Sequence, residues 1–409
     1  MRKFLQLGLG VVTAIGGFVD IGNLVTSGVA GARFHTSLVW AILLGTVAMT
    51  VFGEMAGRVT AVSQRPVFHI VRERLGVRFG LLNLLANMAL LLLTMAAEIG
   101  GVALALEIAS DVNYLLWVPL VALALWGVIW RFPFKKIEQL FGLLGLTLAV
   151  FVVALFNLPT DWAALGQGVV APVIPSTESA NTYFFYAISL FGACLVPYQV
   201  VFFSAGGIEE GWKPKSLMEM RLNACLGFPL GGLLSIAILA TSAVALMPFS
   251  MDVSYLDQVG MPVVMALGKV GLAFTLVGFF AATFAAAAES TLTMGYSVGQ
   301  YLGWRWGKWL RPVDAPRFHL VWMVSLILAT GFVLTTIDPV VLTIVSVVLG
   351  AMAVPLTYFP VLVVANDKDY MGAHVNKWFS NSLGVFFLAI MVVVSIVTLP
   401  LLFWTRAGA

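Results

Sequence analysis

The sequence predicts an all-α integral membrane protein with eleven transmembrane helices. Of the 409 residues, 61% are hydrophobic and only 10% are charged, whereas soluble domains carry about 25% charged residues. Eleven apolar segments are each near or above the roughly 20 residues that a helix needs to cross a bilayer. The polar stretches between them are only as long as loops. These observations exclude a sizeable soluble domain and indicate a chain that is solvated mainly by lipid.

The apolar segments follow one another along the whole chain. They lie at residues 4–30, 38–61, 79–108, 114–130, 137–156, 181–206, 224–247, 262–298, 318–336, 340–364 and 381–404. The first segment follows a basic tip, as a signal peptide would, but it runs on past Asp20 and more spans follow. We therefore expect it to be a retained first helix.

The positions of the basic residues support this count of spans. With the N-terminus in the cytoplasm, 19 of the 22 Lys and Arg residues fall on the cytoplasmic side. The three on the outer side are Arg33, Lys269 and Arg406. Lys and Arg concentrate in cytoplasmic loops of membrane proteins. The sequence thus predicts a multi-pass protein of the cell membrane with its N-terminus in the cytoplasm and its C-terminus outside.

Two spans contain features that interrupt a helix. The first contains "VDIGN", and the sixth contains Pro197, which removes a backbone donor and crowds the preceding turn. Because these spans are five apart, and five is odd, they enter the membrane from opposite sides. We predict an inverted five-plus-five repeat, with residues 1–157 and 180–364 as the two halves and 381–404 as an extra helix. Broken helices at matching positions of inverted halves indicate a midplane binding site in a secondary transporter.

Asp20 and Asn23 lie at the break in the first span. A carboxylate and an amide oxygen, joined by backbone carbonyls freed at a break, form a set of hard oxygen ligands that suits a cation. The alternative is that Asp20 is protonated or hydrogen-bonded within the bundle. Acids at membrane depth are rare and usually functional, so the sequence favours a cation site.

The sixth span offers a second group of candidate ligands. Pro197 frees a carbonyl near Ala193, and Tyr198 and Gln199 supply side-chain oxygens. An ordinary proline kink with buried polar tips is the alternative. Asp20 lies at the matching position in the other half of the chain. This symmetry favours a binding site in the sixth span over an ordinary kink.

Other acids lie within the predicted spans. Glu98 could relay protons or hold a helix contact, and Glu289, among small residues, could hold a contact or line a cavity. Glu54 lies four residues before Arg58, a spacing that favours an ion pair on one helix face. The four histidines fall in loops or at helix ends, so the sequence offers no deep imidazole for a soft metal or a proton. The sequence also lacks a nucleotide-binding glycine loop, which argues against ATP as an energy source.

Several segments together resemble the NRAMP family of divalent metal transporters over nearly the whole chain. They are "VDIGN", "AGARFHTSLVW", "FKKIEQLFGLLGL", "GACLVPYQ", "GYSVGQ" and "ANDKDYMGAHVN". The resemblance implies a LeuT-type inverted-repeat fold with broken helices 1 and 6. It also implies a transporter rather than an enzyme, with a transported divalent cation and no other cofactor.

The resemblance assigns roles to individual residues. It implies that Asp20 and Asn23 are metal ligands and that Ala193 is a ligand through its backbone carbonyl. Four positions depart from the family pattern. Val196 stands at the family's methionine, Tyr198 at its histidine, Met95 at an aspartate and Ile21 at a proline.

These departures alter the expected selectivity. Without the thioether at Val196 the ligands are all oxygen, which favours a hard ion and resembles the NRAMP-related magnesium transporters. With Ile21 at the family's proline position, this sequence also lacks a helix-breaking residue there. Loss of the histidine and of the acid at Met95 predicts weak or absent proton coupling. A membrane potential of 100 mV contributes about 4.6 kcal/mol for a divalent ion, enough to sustain roughly a thousandfold inward gradient.

We therefore expect import of a divalent cation, Mg2+ or secondarily Mn2+, by alternating access. The alternatives are a proton-coupled Mn2+/Fe2+ symporter, a LeuT-type transporter of a non-metal solute, or a sensor built on the same helices. The expected partners are the cation and the lipid bilayer. The sequence indicates neither a nucleic acid nor an obligate protein partner.

Overall fold

The computed structural model describes residues 18–405, except 250, 252 and 336. The start of the first predicted span, with Arg2 and Lys3, and Arg406 near the C-terminus lie outside the described residues. Within the described part, ten helices are long and apolar enough to cross a membrane. Together with the described half of the first span they correspond to the eleven predicted segments, which confirms the predicted all-α membrane class.

The spans are numbered first to eleventh in chain order. They are Ile21–Phe34, Val39–Ser63, Val77–Ser110, Tyr114–Arg131, Phe134–Asn157, Ala180–Glu209, Pro214–Phe249, Leu256–Leu302, Pro316–Val333, Pro339–Ala365 and Trp378–Trp404. The fifth contains a 3-10 turn at Leu146–Ala149, and the seventh contains a π turn at Asn223–Gly227. Among the described residues, three short α-helices lie in the loops, at Val67–Leu75, Trp162–Val170 and Lys368–Met371.

The eighth span is longer than the predicted 262–298. It covers Leu256–Leu302 but bends at Gly268, whose φ of 62° lies in the left-handed region. Glycine adopts this conformation without a steric penalty, so the chain can turn here within an apolar run. The apolar pattern alone does not show the bend. The predicted start, at residue 262, therefore lies after the observed start of the helix at Leu256.

Both predicted interruptions are present. In the first span Phe18 is helical, Val19 and Asp20 are not, and a new helix begins at Ile21. Asp20 has an extended backbone (φ −112°, ψ −177°), and its side chain caps the new helix. The sixth span is split into Ala180–Ala193 and Pro197–Glu209. The break in the first span thus forms without a proline, because the Asp20 side chain supplies an N-cap in its place.

The packing follows an inverted symmetry. The first span packs on the seventh, and the sixth packs on the second, which are equivalent pairings when the two halves superimpose. The third and eighth spans, also equivalent, pack along each other. The centre of the bundle therefore lies where the two broken spans meet. The residue limits of the halves, 1–157 and 180–364, stay a prediction.

Ion pairs join loops that the charge pattern places on one side of the membrane. At the end predicted to face the cytoplasm, Arg65 pairs with Glu73 at 2.8 Å and Arg74 pairs with Asp367. At the same end Glu54 binds Arg58 at 3.0 Å, as the sequence predicts. At the opposite end Arg33 pairs with Glu178 at 2.8 Å. Ion pairs thus stabilise the bundle at both ends, and which end faces the cytoplasm stays a prediction.

Gly31 allows the first and seventh spans to approach closely. A Cβ at this position would lie 2.1 Å from the carbonyl oxygen of Leu239. We expect Gly31→Ala to destabilise the fold by about 1–3 kcal/mol, because the helices must separate. Gly127→Ala is the matched control, since a Cβ there meets nothing within 4 Å. Thermal unfolding in detergent measures both variants, and equal stability would contradict the close contact.

Candidate functional site

Asp20 and Asn23 form a local cluster at the break of the first span. The Asp20 Oδ1 atom accepts hydrogen bonds from the Asn23 backbone N–H at 2.8 Å and from the Asn23 side-chain amide at 3.3 Å. Both residues are at least 98% buried. The carboxylate is therefore fixed beside the helix N-terminus, where backbone N–H groups and the helix dipole stabilise negative charge.

Pro197 shapes the facing part of the sixth span. Proline has no N–H group, so the Ala193 carbonyl lacks the donor that an α-helix would supply four residues later. The Asn23 side-chain amide donates to this carbonyl at 3.0 Å. The structure thus joins Asp20, Asn23 and Ala193, three predicted ligands from two distant parts of the chain, into one polar cluster.

Ser235 on the seventh span holds the Asn23 amide from the other side. Its hydroxyl donates to Asn23 Oδ1 at 3.2 Å. A hydroxyl can donate or accept, so it could also bind the amide after a half turn exchanges nitrogen and oxygen. That half turn would present Asn23 Oδ1 beside the Asp20 and Ala193 oxygens. The sequence gives no signal for Ser235, since only the fold brings the seventh span here.

A small cavity adjoins this cluster. Asp20, Ile21, Val196, Tyr198 and Glu98 contribute to its wall. About 30 Å³ is open to the centre of a water molecule, which is room for at least one ordered water. Asn23 and Ala193 lie beside the cavity rather than on its wall.

Further polar side chains line the cavity or lie next to it. Gln199, a predicted ligand, is buried next to Tyr198 but does not belong to the described lining. Asn87, Thr94 and Ser346 do line it, although the sequence did not single them out. Asn87 and Thr94 belong to the third span, and Ser346 belongs to the tenth. The hydroxyl groups of Thr94 and Ser346 form a hydrogen bond at 3.0 Å. The wall is mainly apolar, and the polar groups on it are mostly oxygen-bearing.

Glu98 contacts the break directly. The Ile21 backbone N–H lies 3.3 and 3.4 Å from the two carboxylate oxygens of Glu98. A proline at position 21 would have no N–H for this contact. The backbone N–H group that Ile21 has, and a proline would lack, thus has an acceptor on the third span. Through this contact Glu98 holds the start of the helix.

Glu289 does not line the cavity beside Asp20. It lines a separate small cavity together with Glu138 of the fifth span, among apolar side chains such as Phe141 and Phe202. Glu138 lies within the segment "FKKIEQLFGLLGL", but nothing in the sequence marks it as a site residue. Its position became apparent only when the fifth and eighth spans packed together.

Two interrupted helices that meet through polar groups at the centre of an inverted bundle define a secondary transporter. The chain belongs to the Nramp family: residues 10–400 match the family described as "Natural resistance-associated macrophage protein-like". Members of this family are transporters rather than enzymes.

Individual relatives agree with this family. The divalent metal cation transporter MntH of Aeromonas hydrophila subsp. hydrophila is 22% identical over 399 residues, which cover 95% of this chain and 94% of the relative. The MntH of Klebsiella pneumoniae subsp. pneumoniae is 24% identical over 400 residues, which cover 95% and 92% of the two chains.

Solved structures show the same fold. The manganese transporter of Eremococcus coleocola superimposes with a TM-score of 0.74 at 19% identity, covering 96% of this chain and 85% of that one. The chain therefore has the LeuT-type fold of Nramp transporters, and within the described residues its first and sixth spans are broken.

Proposed function

We propose that this protein imports a divalent metal cation by alternating access, with Mg2+ as the preferred ion and without obligatory proton coupling. The proposal rests chiefly on one observation: the Asn23 amide contacts both the Asp20 carboxylate at 3.3 Å and the Ala193 carbonyl at 3.0 Å. A cation that replaces the amide hydrogens between these oxygens would gain hard ligands from both broken helices. The names of the MntH relatives support the divalent class.

The ligand chemistry favours Mg2+. Asp20, Ala193 and, after the half turn, Asn23 offer a carboxylate, a carbonyl and an amide oxygen. Mg2+ is commonly held by one or two carboxylates and keeps several waters, whereas Mn2+ accepts softer ligands more readily. Val196 and Tyr198 supply no sulfur or imidazole at the cavity. Manganese remains the second candidate, supported by the manganese transporter with the same fold.

Weak proton coupling is supported by what surrounds the break. Met95 is fully buried and cannot carry a proton at its position in the third span. Glu98 accepts the Ile21 N–H, which gives this acid a structural task at the start of the helix. The membrane potential then supplies the driving force for a doubly charged ion.

Proteoliposome flux tests the proposal directly. Purified protein is reconstituted, and uptake of Mg2+, Mn2+ and Ca2+ is followed with and without a pH gradient. We expect Mg2+ uptake that does not require the gradient. If uptake of every ion required an inward proton gradient, the proton-independent mechanism would be wrong. If all three ions failed to enter, the divalent assignment itself would be wrong.

The proline of the sixth span gives a second test. Pro197→Ala restores an N–H group that can bond the Ala193 carbonyl and extend the helix through the break. We expect Mg2+ uptake to fall by about tenfold or more, since one ligand is withdrawn. Pro119→Ala is the matched control, because Pro119 lies inside the fourth span, away from the cluster. Equal uptake by the two variants would show that the break does not serve transport.

Two substitutions of Glu98 distinguish a structural role of this residue from a role in carrying protons. Glu98→Gln keeps an oxygen that accepts the Ile21 N–H, whereas Glu98→Leu keeps only the bulk. We expect the Gln variant to transport within about threefold of wild type and the Leu variant to lose about tenfold, because an unpaired buried N–H costs about 1–3 kcal/mol. Uptake rates at several pH values check this. A Gln variant as impaired as the Leu variant, with altered pH dependence, would indicate proton transfer through Glu98.

A further inference from the structure

A large cavity that shares no lining residue with the cavity beside Asp20 lies at the end of the bundle that carries most of the basic residues. It has a volume of about 620 Å³ and is formed by the second, seventh and eleventh spans and the loop before the eleventh. Its polar lining includes Glu54, Arg58, Arg221 and Lys377. None of these residues takes part in the transport mechanism described above.

The charged side chains of this cavity differ in how many hydrogen bonds they make and in how exposed they are. Arg58 is buried and bonds Glu54, the His374 carbonyl and the Asn376 side chain, so it fixes the loop before the eleventh span. Arg221 bonds the same Glu54 carboxylate through Nε at 2.9 Å, but half of its side chain is exposed. Lys377 is exposed at the rim. Three cations face one carboxylate, so the cavity has an excess of positive charge that suits an anion.

The start of the eleventh span adds to this positive field. Lys377 is the N-cap residue of the helix Trp378–Trp404, and its side chain does not cap the helix. Phe379 and Ser380, in the first turn, line the cavity. The first backbone N–H groups of a helix have no partner within the helix, and the helix dipole places partial positive charge there. The cations and the helix start therefore act on the same space.

An apolar surface continues from the cavity toward the centre of the membrane. Thr50 and Val51 of the second span line the cavity. Val47 lies three and four residues before them, on the same helix face, and its side chain is 47% exposed although the second span is otherwise mostly buried. An acyl chain could lie along this exposed strip. Trp378 and Phe379 are exposed at the same level, as aromatic residues at a membrane interface are.

We propose that this cavity binds an anionic phospholipid, with its phosphate beside Arg221 and Lys377 and an acyl chain over Val47. Basic cavities between transmembrane helices at the cytoplasmic side suit anionic head groups. A free phosphate shares the head-group chemistry but has no use for the apolar strip, which favours the lipid. The proposal is independent of which ion the protein transports.

Native mass spectrometry of the purified protein tests this proposal. The protein is incubated with dioleoyl phosphatidylglycerol or with dioleoyl phosphatidylcholine, and retained lipid is counted. We expect preferential retention of the phosphatidylglycerol. The double variant Arg221→Gln/Lys377→Gln should weaken that binding by roughly 25-fold, since each cation near the surface contributes about a fivefold factor. The control Lys136→Gln/Arg305→Gln, two exposed cations outside the cavity, should retain it.

A second variant tests the apolar part without altering charge. Val47→Trp places an indole over the strip, and it should reduce phosphatidylglycerol retention even if the double variant fails to fold. Equal retention of the two lipids by wild type, or unchanged retention by these variants, would overturn the proposal. Inorganic phosphate is tested in parallel by thermal unfolding. If it stabilised the protein as much as phosphatidylglycerol does, the site would accept a free anion and the lipid assignment would be wrong.

Discussion

Asp20→Ala is expected to abolish divalent cation transport. The substitution removes the carboxylate that, in the proposed site, would neutralise the ion at the meeting point of the two broken helices. Removing one member of a buried charged pair typically costs about 3–5 kcal/mol, so Mg2+ uptake should fall by at least about a hundredfold. Initial rates of uptake into proteoliposomes measure the effect.

Two further variants separate the loss of a ligand from the loss of the fold. Asp20→Asn keeps the shape of the side chain and an oxygen that can still cap the Asn23 N–H, so the helix start should persist. Its transport should nevertheless be lost, because the negative charge is absent. Asp314→Ala removes a carboxylate from an exposed loop and should transport normally. An Asp20→Asn variant with the wild-type rate would mean that the cation binds elsewhere.

Val196→Met is expected to shift selectivity toward softer ions. Val196 lies at the break of the sixth span and lines the cavity next to Asp20. A methionine there adds a thioether, a ligand that favours borderline and soft metals over Mg2+. We expect the rate of Mn2+ or Cd2+ uptake relative to Mg2+ to rise about tenfold, which corresponds to about 1.4 kcal/mol.

The position of the thioether matters for this prediction. Leu90→Met places the same group in the same cavity, but from the third span and away from the break. It should leave the relative rates unchanged. If both methionine variants gave the same shift, the effect would come from the general polarity of the cavity. An unchanged ratio in Val196→Met would remove the soft-ligand explanation of selectivity.

The break positions were predictable because their causes are local. Pro197 eliminates a backbone donor in any apolar helix, and Asp20 carries a capping group beside Gly22 in an otherwise apolar run. The sequence could not decide whether the first span breaks without a proline. The structure shows that it does, since the Asp20 side chain caps the Asn23 N–H and Glu98 accepts the Ile21 N–H.

The remaining parts of the site depend on contacts between distant segments. Ser235 reaches Asn23 across 212 residues of sequence, and it does so only because the first and seventh spans pack together. Glu138 and Glu289 share a cavity only because the fifth and eighth spans meet. A side chain on an apolar helix gives no local sign of which neighbour it will face. Sequence reasoning therefore found the residues at the breaks and the deep acids Glu98 and Glu289, but it missed other polar residues around them, such as Ser235 and Glu138.

The most direct test of the central proposal is Mg2+ uptake driven by voltage alone. Liposomes that contain the protein are loaded with potassium and treated with valinomycin, which sets an inside-negative potential, at the same pH on both sides. We predict that Mg2+ enters, that its uptake increases with the potential, and that Asp20→Asn eliminates it. Absence of Mg2+ uptake, together with Mn2+ uptake that requires an inward proton gradient, would contradict the proposal.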